Sequence, residues 1–492
     1  MKSALLTVIL AAITCFPNAR GQSAVRTLTL TETIVIAKTQ SADAMNAIQT
    51  FKASYWDWRS YQASNLPSLG LTATLPYINQ SISSQSVNGV QSYASYKYIS
   101  ANANLGLTQR IGLTGGTVSL NSTLNGVHNV NADNLLPYVS VPVNIEFNQP
   151  IFTYNQFRWD RRIMPLKYRQ AKQKYIEDIE QVSITAIEYF FNLIQAQVEK
   201  KIQLINLSNY DTLYRIAQGR YQLGKIAENE LLTLELSFLK AQAAVENADL
   251  TLGNAEFRLK SFLHLRDSSN LVLVPPVNIT FFKINPETAV ELAIKNSSTS
   301  TDFTKRLLDA ASTVNYAKMN GRFDANLRAV IGLTQQGSTV KDAYINPADQ
   351  RQFSLGLSIP ILDWGVARGR IKMAQSQEDI VKTTVEQGAI DFSANVRINA
   401  LQFNMQQNQL KIAAKADTVA KKSYEVIKGR YLIGKINDIT TLNLAQIEND
   451  NAEKNYYYAL QTYWSNYYQI RKLTHFDFRM NQPINFDPSV LK

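Results

Sequence analysis

Cysteine is almost absent. Of 492 residues only Cys15 carries a thiol, which leaves no disulfide framework and no cysteine-built metal site. Histidine is nearly as sparse. His128, His264 and His475 stand in unrelated contexts, and none is paired in sequence with a Cys, His or carboxylate at metal-ligand spacing. No phosphate-binding loop or nucleotide-binding glycine pattern occurs, and Gly115-Gly116 lacks the strand–turn–helix setting and reads as a turn. Asp57, between Trp56 and Trp58, has no nucleophile or acid–base partner nearby and reads as part of a packed helix. These absences speak against an enzyme and leave no metal or cofactor to expect. No run of 18 apolar residues occurs, so membrane-spanning helices are excluded.

The first residues have their own pattern. Lys2 precedes an apolar run from Ala4 to Ile13, followed by Ala19-Arg20-Gly21. A charged start, a short apolar core and small residues read as a secretory signal, residues 1–21, cleaved after Gly21. Lipidation at Cys15 is the alternative, although Thr14 before it fits a lipobox poorly. Removing Lys2 and Arg20 from the 50 basic residues leaves 48 against 39 acidic ones. They are dispersed along helical stretches without a basic stripe, so nucleic acid is not a partner.

What is present is a duplication. Gly219-Arg220-Tyr221-Gln222-Leu223-Gly224-Lys225-Ile226 returns 210 residues later as Gly429-Arg430-Tyr431-Leu432-Ile433-Gly434-Lys435-Ile436. Pro150-Ile151 and Pro360-Ile361 keep the same offset. So long a period marks a duplicated module rather than a small-unit solenoid.

Two periodicities alternate within each copy. Val139, Val141, Val143, Ile145 and Phe147 alternate with polar or small residues, as do Phe353, Leu355, Leu357, Ile359 and Ile361. Leu69, Leu71, Ala73, Leu75 and Tyr77 predict another two-faced strand, matched by Leu327, Ala329, Ile331 and Leu333. Each is about 9–11 residues, enough for a tilted strand to cross a bilayer. Tyr93, Tyr96, Tyr98, Tyr138 and Tyr154 cluster at the margins, where aromatic girdles sit. Residues 156–218 then predict a very long helix. After the Gly224 turn a heptad runs through Leu231, Phe238, Val245, Leu252 and Leu259, with Leu234, Ala241, Ala248, Ala255 and Phe262 on the second seam position. The second copy repeats the plan, with helices over about 367–428 and on to about 473. Shorter opening helices are expected over 31–63 and 286–320.

The expected organisation is therefore a first repeat over 22–282, with strands at about 68–152 and a hairpin at about 156–265. A second repeat spans 283–473, with strands at about 325–362 and a hairpin at about 366–473, and a tail covers 474–492. Two strands per repeat cannot close a membrane barrel, whose smallest examples have about 8, and open edges are not tolerated in lipid. Three chains would supply twelve. Residues 96–110 and 117–129 also look strand-like, as an extracellular hairpin by preference or as two extra barrel strands.

The duplicated Arg-Tyr-x-x-Gly-Lys-Ile turns, the strand-ending Gln149-Pro150-Ile151-Phe152 and Ile359-Pro360-Ile361-Leu362, and the opening helices together resemble the outer membrane factor family, the TolC-like channels. The resemblance covers nearly the whole chain after the signal. It implies a mostly α-helical protein with a membrane β-barrel portion: a homotrimer sharing one barrel, with an α-helical periplasmic tunnel. It implies an outer-membrane conduit of a tripartite efflux or type I secretion system, docked to a periplasmic adaptor and an inner-membrane pump. Gly219, Arg220, Tyr221, Gly224, Lys225, Ile226, Gly429, Arg430, Tyr431, Gly434, Lys435 and Ile436 would form the docking tips. Glu228, Glu230 and Asp438 would carry entrance charge, with Thr440 and Asn443 standing where family members often have carboxylates. A protein-secretion channel and a coiled-coil surface protein without a conduit remain as alternatives.

Overall fold

A computed structural model describes residues 25–87, 90–130, 137–266, 270–435, 439–487 and 489. The signal segment and Cys15 lie outside them. The described residues fall into two compact units. One draws on residues up to Gln49, Tyr175–Ile294 and residues from Asn395 on; the other holds Thr50–Lys174 and Lys295–Ala394.

The first unit is helical. Its longest members are the parts within it of α3 (Gln156–Gln222) and α7 (Val366–Leu432), whose limits differ by the same 210 residues as the turns. Helix α4 (Glu228–Phe262) returns from the first and α8 (Ile439–Thr474) from the second. The heptad on α4 is realised: Leu234, Ala241, Ala248 and Leu259 are buried, and the other seam positions are half-buried. Alanines at successive core positions let backbones approach closely, whereas larger residues would hold them apart. The core of α3 is wider still, with Val182, Ala186, Ile187, Phe190, Phe191, Leu193 and Ile194 all buried.

Each opening helix is broken in two. Helices α1 (Leu30–Gln40) and α2 (Ala42–Ala63) part at Ser41, and α5 (Pro286–Asn296) and α6 (Ser298–Asn320) part at Ser297. Both serines adopt extended backbone, and their Oγ atoms accept from the N–H of Ala44 at 3.1 Å and of Ser300 at 3.3 Å. A side-chain acceptor satisfies an otherwise orphan donor at a helix start, so each serine begins a new helix inside an otherwise helical stretch. A parallel pair of strands, β1 (Val25–Thr29) with β6 (Asn270–Val274), was not expected from periodicity.

The second unit is built on one six-stranded antiparallel sheet. Its order is β2 (Ser68–Val87), β3 (Val90–Arg110), β4 (Thr117–Asn129), β5 (Tyr138–Ile151), β7 (Asp324–Gly337) and β8 (Ala348–Ser358). The stretch over 96–129 is thus not a hairpin apart from the others; β3 and β4 pair from Tyr98↔Asn129 to Arg110↔Thr117 in the middle of the sheet. Two expected alternations also break. The register shifts in β2 between Thr74 and Tyr77, and in β5 between Ser140 and Asn144. Pro76 and Pro142 sit at these shifts, where the missing N–H cannot serve the ladder and a bulge absorbs it. Each bulge reverses parity. Val141, opposite Thr123, therefore faces away from Ile145, opposite Leu120, and Tyr77 faces away from Leu71.

Candidate functional site: hairpin tips and a two-faced sheet

The two repeated turns have the same backbone. Gly224 and Gly434 take φ of 65° and 73°. Gly224 N–H donates to Tyr221 O at 2.8 Å and Lys225 N–H to Arg220 O at 2.9 Å. Gly434 N–H donates to Tyr431 O at 3.1 Å and Lys435 N–H to Arg430 O at 2.9 Å. This is a Schellman ending, in which a left-handed residue turns the last N–H groups back onto orphan carbonyls. The repeated sequence therefore encodes a repeated helix stop.

Side chains at the tips are not equivalent. Tyr221 is 42% exposed, whereas Tyr431 is 7% exposed and lies in a core with Leu213, Ala217, Leu234 and Leu442. The Arg220 guanidinium stands 5.8 Å from the Tyr431 ring centroid, so the first tip covers the tyrosine of the second. Behind them, polar contacts tie α3 to the second hairpin. Tyr424 Oη accepts from Asn209 at 3.0 Å, Asn209 Oδ1 accepts from Lys428 at 2.7 Å, and Asn443 Oδ1 accepts from Tyr210 at 3.3 Å. Burial pushes the Tyr424 hydroxyl up to about 12, with Asp450 and Tyr210 adding to it. Asp450 accepts from Asn206 at 2.8 Å, yet burial outweighs that bond and raises its carboxyl.

Lys225, Arg430, Lys435 and Glu228 are exposed, and Glu230 and Ile226 are half-buried. The predicted tip residues are thus brought together as two adjoining turns. Ile436 and Asp438 lie outside the described residues.

The sheet has two chemically distinct faces. One carries Leu69, Leu71, Leu105, Leu107, Leu120, Ile145, Ile331, Phe353, Leu355 and Leu357, all exposed. The other is polar. Thr123 Oγ1 donates to Asn104 at 2.8 Å, Asn121 Nδ2 to Asn144 Oδ1 at 3.2 Å, and Asn102 to Asn125. Arg328 there meets Glu146 through two nitrogens, at 2.7 and 3.1 Å. Among the described residues no helix is long and apolar enough to cross a membrane.

Residues 326–474 match the outer membrane efflux protein family. Solved structures align over nearly the whole chain. The Campylobacter jejuni CmeC outer membrane channel aligns at 16% identity over 94% of this chain and 87% of its own, with a TM-score of 0.63. The Vibrio cholerae outer membrane protein VceC aligns at 13% identity over 93% and 97%, with a TM-score of 0.62. The Neisseria gonorrhoeae MtrE outer membrane channel aligns at 13% identity over 90% and 88%, with a TM-score of 0.60. No curated protein sequence matches. The chain has the outer-membrane efflux channel fold.

Within this efflux-channel fold, sequence reasoning missed a buried charge cluster in the helical unit. Glu180 on α3, 1% exposed, pairs with Lys38 of α1 at 2.8 Å and with Arg471 of α8 at 2.9 Å. Burial alone would raise the Glu180 carboxyl, but Lys38 and Arg471 outweigh it and hold it below the usual range. Arg471 also pairs with Asp477, and His475 Nε2 lies 3.3 Å from Glu177. Glu180 and Glu177 meet partners 142 to 298 positions away in the chain, so no local spacing signals them. Asp57 joins Lys167 at 2.9 Å, and Trp58 stacks on Tyr168 with centroids 5.5 Å apart, the packing role expected for that helix.

Proposed function

We propose that this chain forms, as a homotrimer, the outer-membrane conduit of a multi-component export system, and that it is a passive duct without a reaction of its own. The observation that carries the reading is the sheet: one face exposed and apolar, the other polar, with both edge strands lacking partners among the described residues. Such a sheet suits a barrel wall between lipid and water, and its edges require further copies.

The helices support multiple copies as well. Ile398, Met405, Ile412, Val419, Val426 and Ile433 are all exposed and recur at seven-residue steps along α7 and its turn. On α4, Leu232, Leu236 and Leu239 are exposed at steps of four and three, followed by Leu250 and Phe257. Apolar stripes of this period are coiled-coil seams, and one copy alone leaves them in water. The reading places α7 of one copy against α4 of the next, the barrel in the outer membrane and the tips at the periplasmic end. There Arg220, Lys225, Arg430 and Lys435 would meet an adaptor coupled to an inner-membrane pump.

Cysteines placed singly at Lys225 and Lys435 test the assignment in cells. The expected result is a disulfide or maleimide cross-link to a periplasmic adaptor from both positions, on a protein that migrates as a trimer. A trimer that conducts ions but never captures an adaptor overturns the docking assignment. A monomer without conductance overturns the conduit itself and favours a coiled-coil surface protein.

A further inference from the structure

We infer that each copy contributes six strands rather than four to the membrane wall, so that β2 of one copy pairs with β8 of the next and three copies close an eighteen-stranded barrel. The inference rests on the proposed trimeric conduit.

Four features of the sheet carry it. First, the strands share one level. Ser68, Thr108, Ser119, Glu146, Val330 and Gln352 form a single cross-strand row through all six strands. Second, the faces extend across the strands. Leu69↔Leu107↔Leu120↔Ile145↔Ile331 runs along the apolar side through five strands and meets Arg351 on β8, where Phe353, Leu355 and Leu357 carry the same face onward, while Asn102 meets Asn125 and Thr123 meets Asn104 on the polar side. A wall ending at β4 would strand the exposed Leu69, Leu71, Leu105 and Leu107 outside lipid and break the ladder between β3 and β4.

Third, the Pro76 bulge keeps the apolar face alive higher up β2. It shifts parity so that Ile78, opposite Ile99, and Ile82 rejoin the side of Leu71. Fourth, the edges fit each other. With six alternating strands, β2 of one copy runs antiparallel to β8 of its neighbour, and the eleven residues of β8 match the part of β2 below the bulge and just above it. Beyond Asn79, among the described residues, only β3 accompanies β2, which makes the distal part a two-stranded ribbon past the level of β4. Because barrel diameter grows about linearly with strand number, eighteen strands give a lumen about half again as wide as twelve.

Disulfide mapping tests this, since Cys15 is the chain's single native cysteine. Leu71→Cys is combined in turn with Phe353→Cys, Ser354→Cys, Leu355→Cys, Gly356→Cys and Leu357→Cys in intact outer membranes under mild oxidation. Residues opposite one another share a face, so inter-copy bonds are expected from 353, 355 or 357 and not from 354 or 356. If β8 cysteines instead join Leu120→Cys of β4 in another copy, and Leu71→Cys reacts with a membrane-impermeant maleimide, the barrel has four strands per chain and the inference is wrong. In that outcome the trimeric conduit stands. Loss of trimers and conductance in the unmodified protein sinks the conduit along with it. Electron cryomicroscopy of the unmodified trimer, counting eighteen strands or twelve, decides the matter even where a double variant fails to assemble.

Discussion

Helices α3 and α7 are copies in length and position but not in surroundings. Both have 67 residues, and both end in the same glycine stop. Within the helical unit α3 is central. It meets α1 through Lys38–Glu180, α4 through Lys200–Asp249 and α8 through Lys201–Glu453 and Lys454–Glu199. Helix α7 packs on one side only, where Phe403 lies against Phe282, Tyr463 and Tyr467, and its other side carries the exposed seven-residue stripe. Glu180 and the equivalent Ile390 show the divergence in one pair: a buried charge on α3, and an exposed isoleucine on α7. Duplication has preserved helix length and turn chemistry, while the neighbours each copy gained decided which residue types its faces now carry.

The largest effect should come from breaking the buried side of this comparison. Glu180→Ala leaves Arg471 and Lys38 without their shared carboxylate, and losing one member of a buried ion pair costs about 3–5 kcal/mol. Chemical denaturation of the helical unit should show it, whereas Ile390→Ala should leave protomer stability within about 0.5 kcal/mol. The pH dependence separates charge from packing. The Glu180 pKa is depressed in the folded chain, so its contribution is complete above the ordinary value of 4.5 and is lost as pH falls through the lower folded value. Glu180→Gln should remove that acid-dependent loss. Asp450 has the opposite sign: its raised pKa makes folding more favourable as pH falls toward 3.8, and that trend should survive the Glu180 change.

The legibility of the chain follows the same division between local and distant causes. Helix limits, the α4 heptad and both glycine stops were readable, because each depends on residues within one or two turns of each other. The breaks at Ser41 and Ser297 were signalled only by a capping serine, which is common enough on helix surfaces to pass unnoticed. The parity reversals at Pro76 and Pro142 were readable in principle, since proline within a strand marks a bulge or an edge. The Glu180 cluster was not, because Lys38 and Arg471 reach it from helices at opposite ends of the sequence. The difference in burial between Tyr221 and Tyr431 was also hidden, since it depends on which tip overlies the other.

A smaller effect should separate those two tyrosines. Tyr431→Ala removes a buried ring from the tip core and from beneath Arg220, a loss of about 2–3 kcal/mol. Tyr221→Ala, at the half-exposed equivalent, should stay within about 0.5 kcal/mol. Hydrogen exchange at the last turns of α3 and α7 would read both. Equal protection losses in the two variants would mean that the tips are interchangeable and that the asymmetry belongs to the isolated copy.

The smallest effect, and the most specific, concerns the two kinds of glycine within each turn. Gly224 and Gly434 need positive φ, so alanine there should cost about 1–2 kcal/mol through a left-handed backbone alone. Gly219 and Gly429 are different. They lie inside α3 and α7, and a Cβ at either would meet nothing within 4 Å. A helix-interior glycine costs about 0.5–1 kcal/mol relative to alanine, and no packing within the chain accounts for it. Gly219→Ala and Gly429→Ala should therefore raise protomer stability by about that amount. If the bare backbone serves the close approach of an adaptor helix, the same variants should lose adaptor capture at Lys225 and Lys435 despite being more stable. Capture that persists in both would assign these glycines no role in docking and would leave the exposed charges at the tips as the sole basis for recognition.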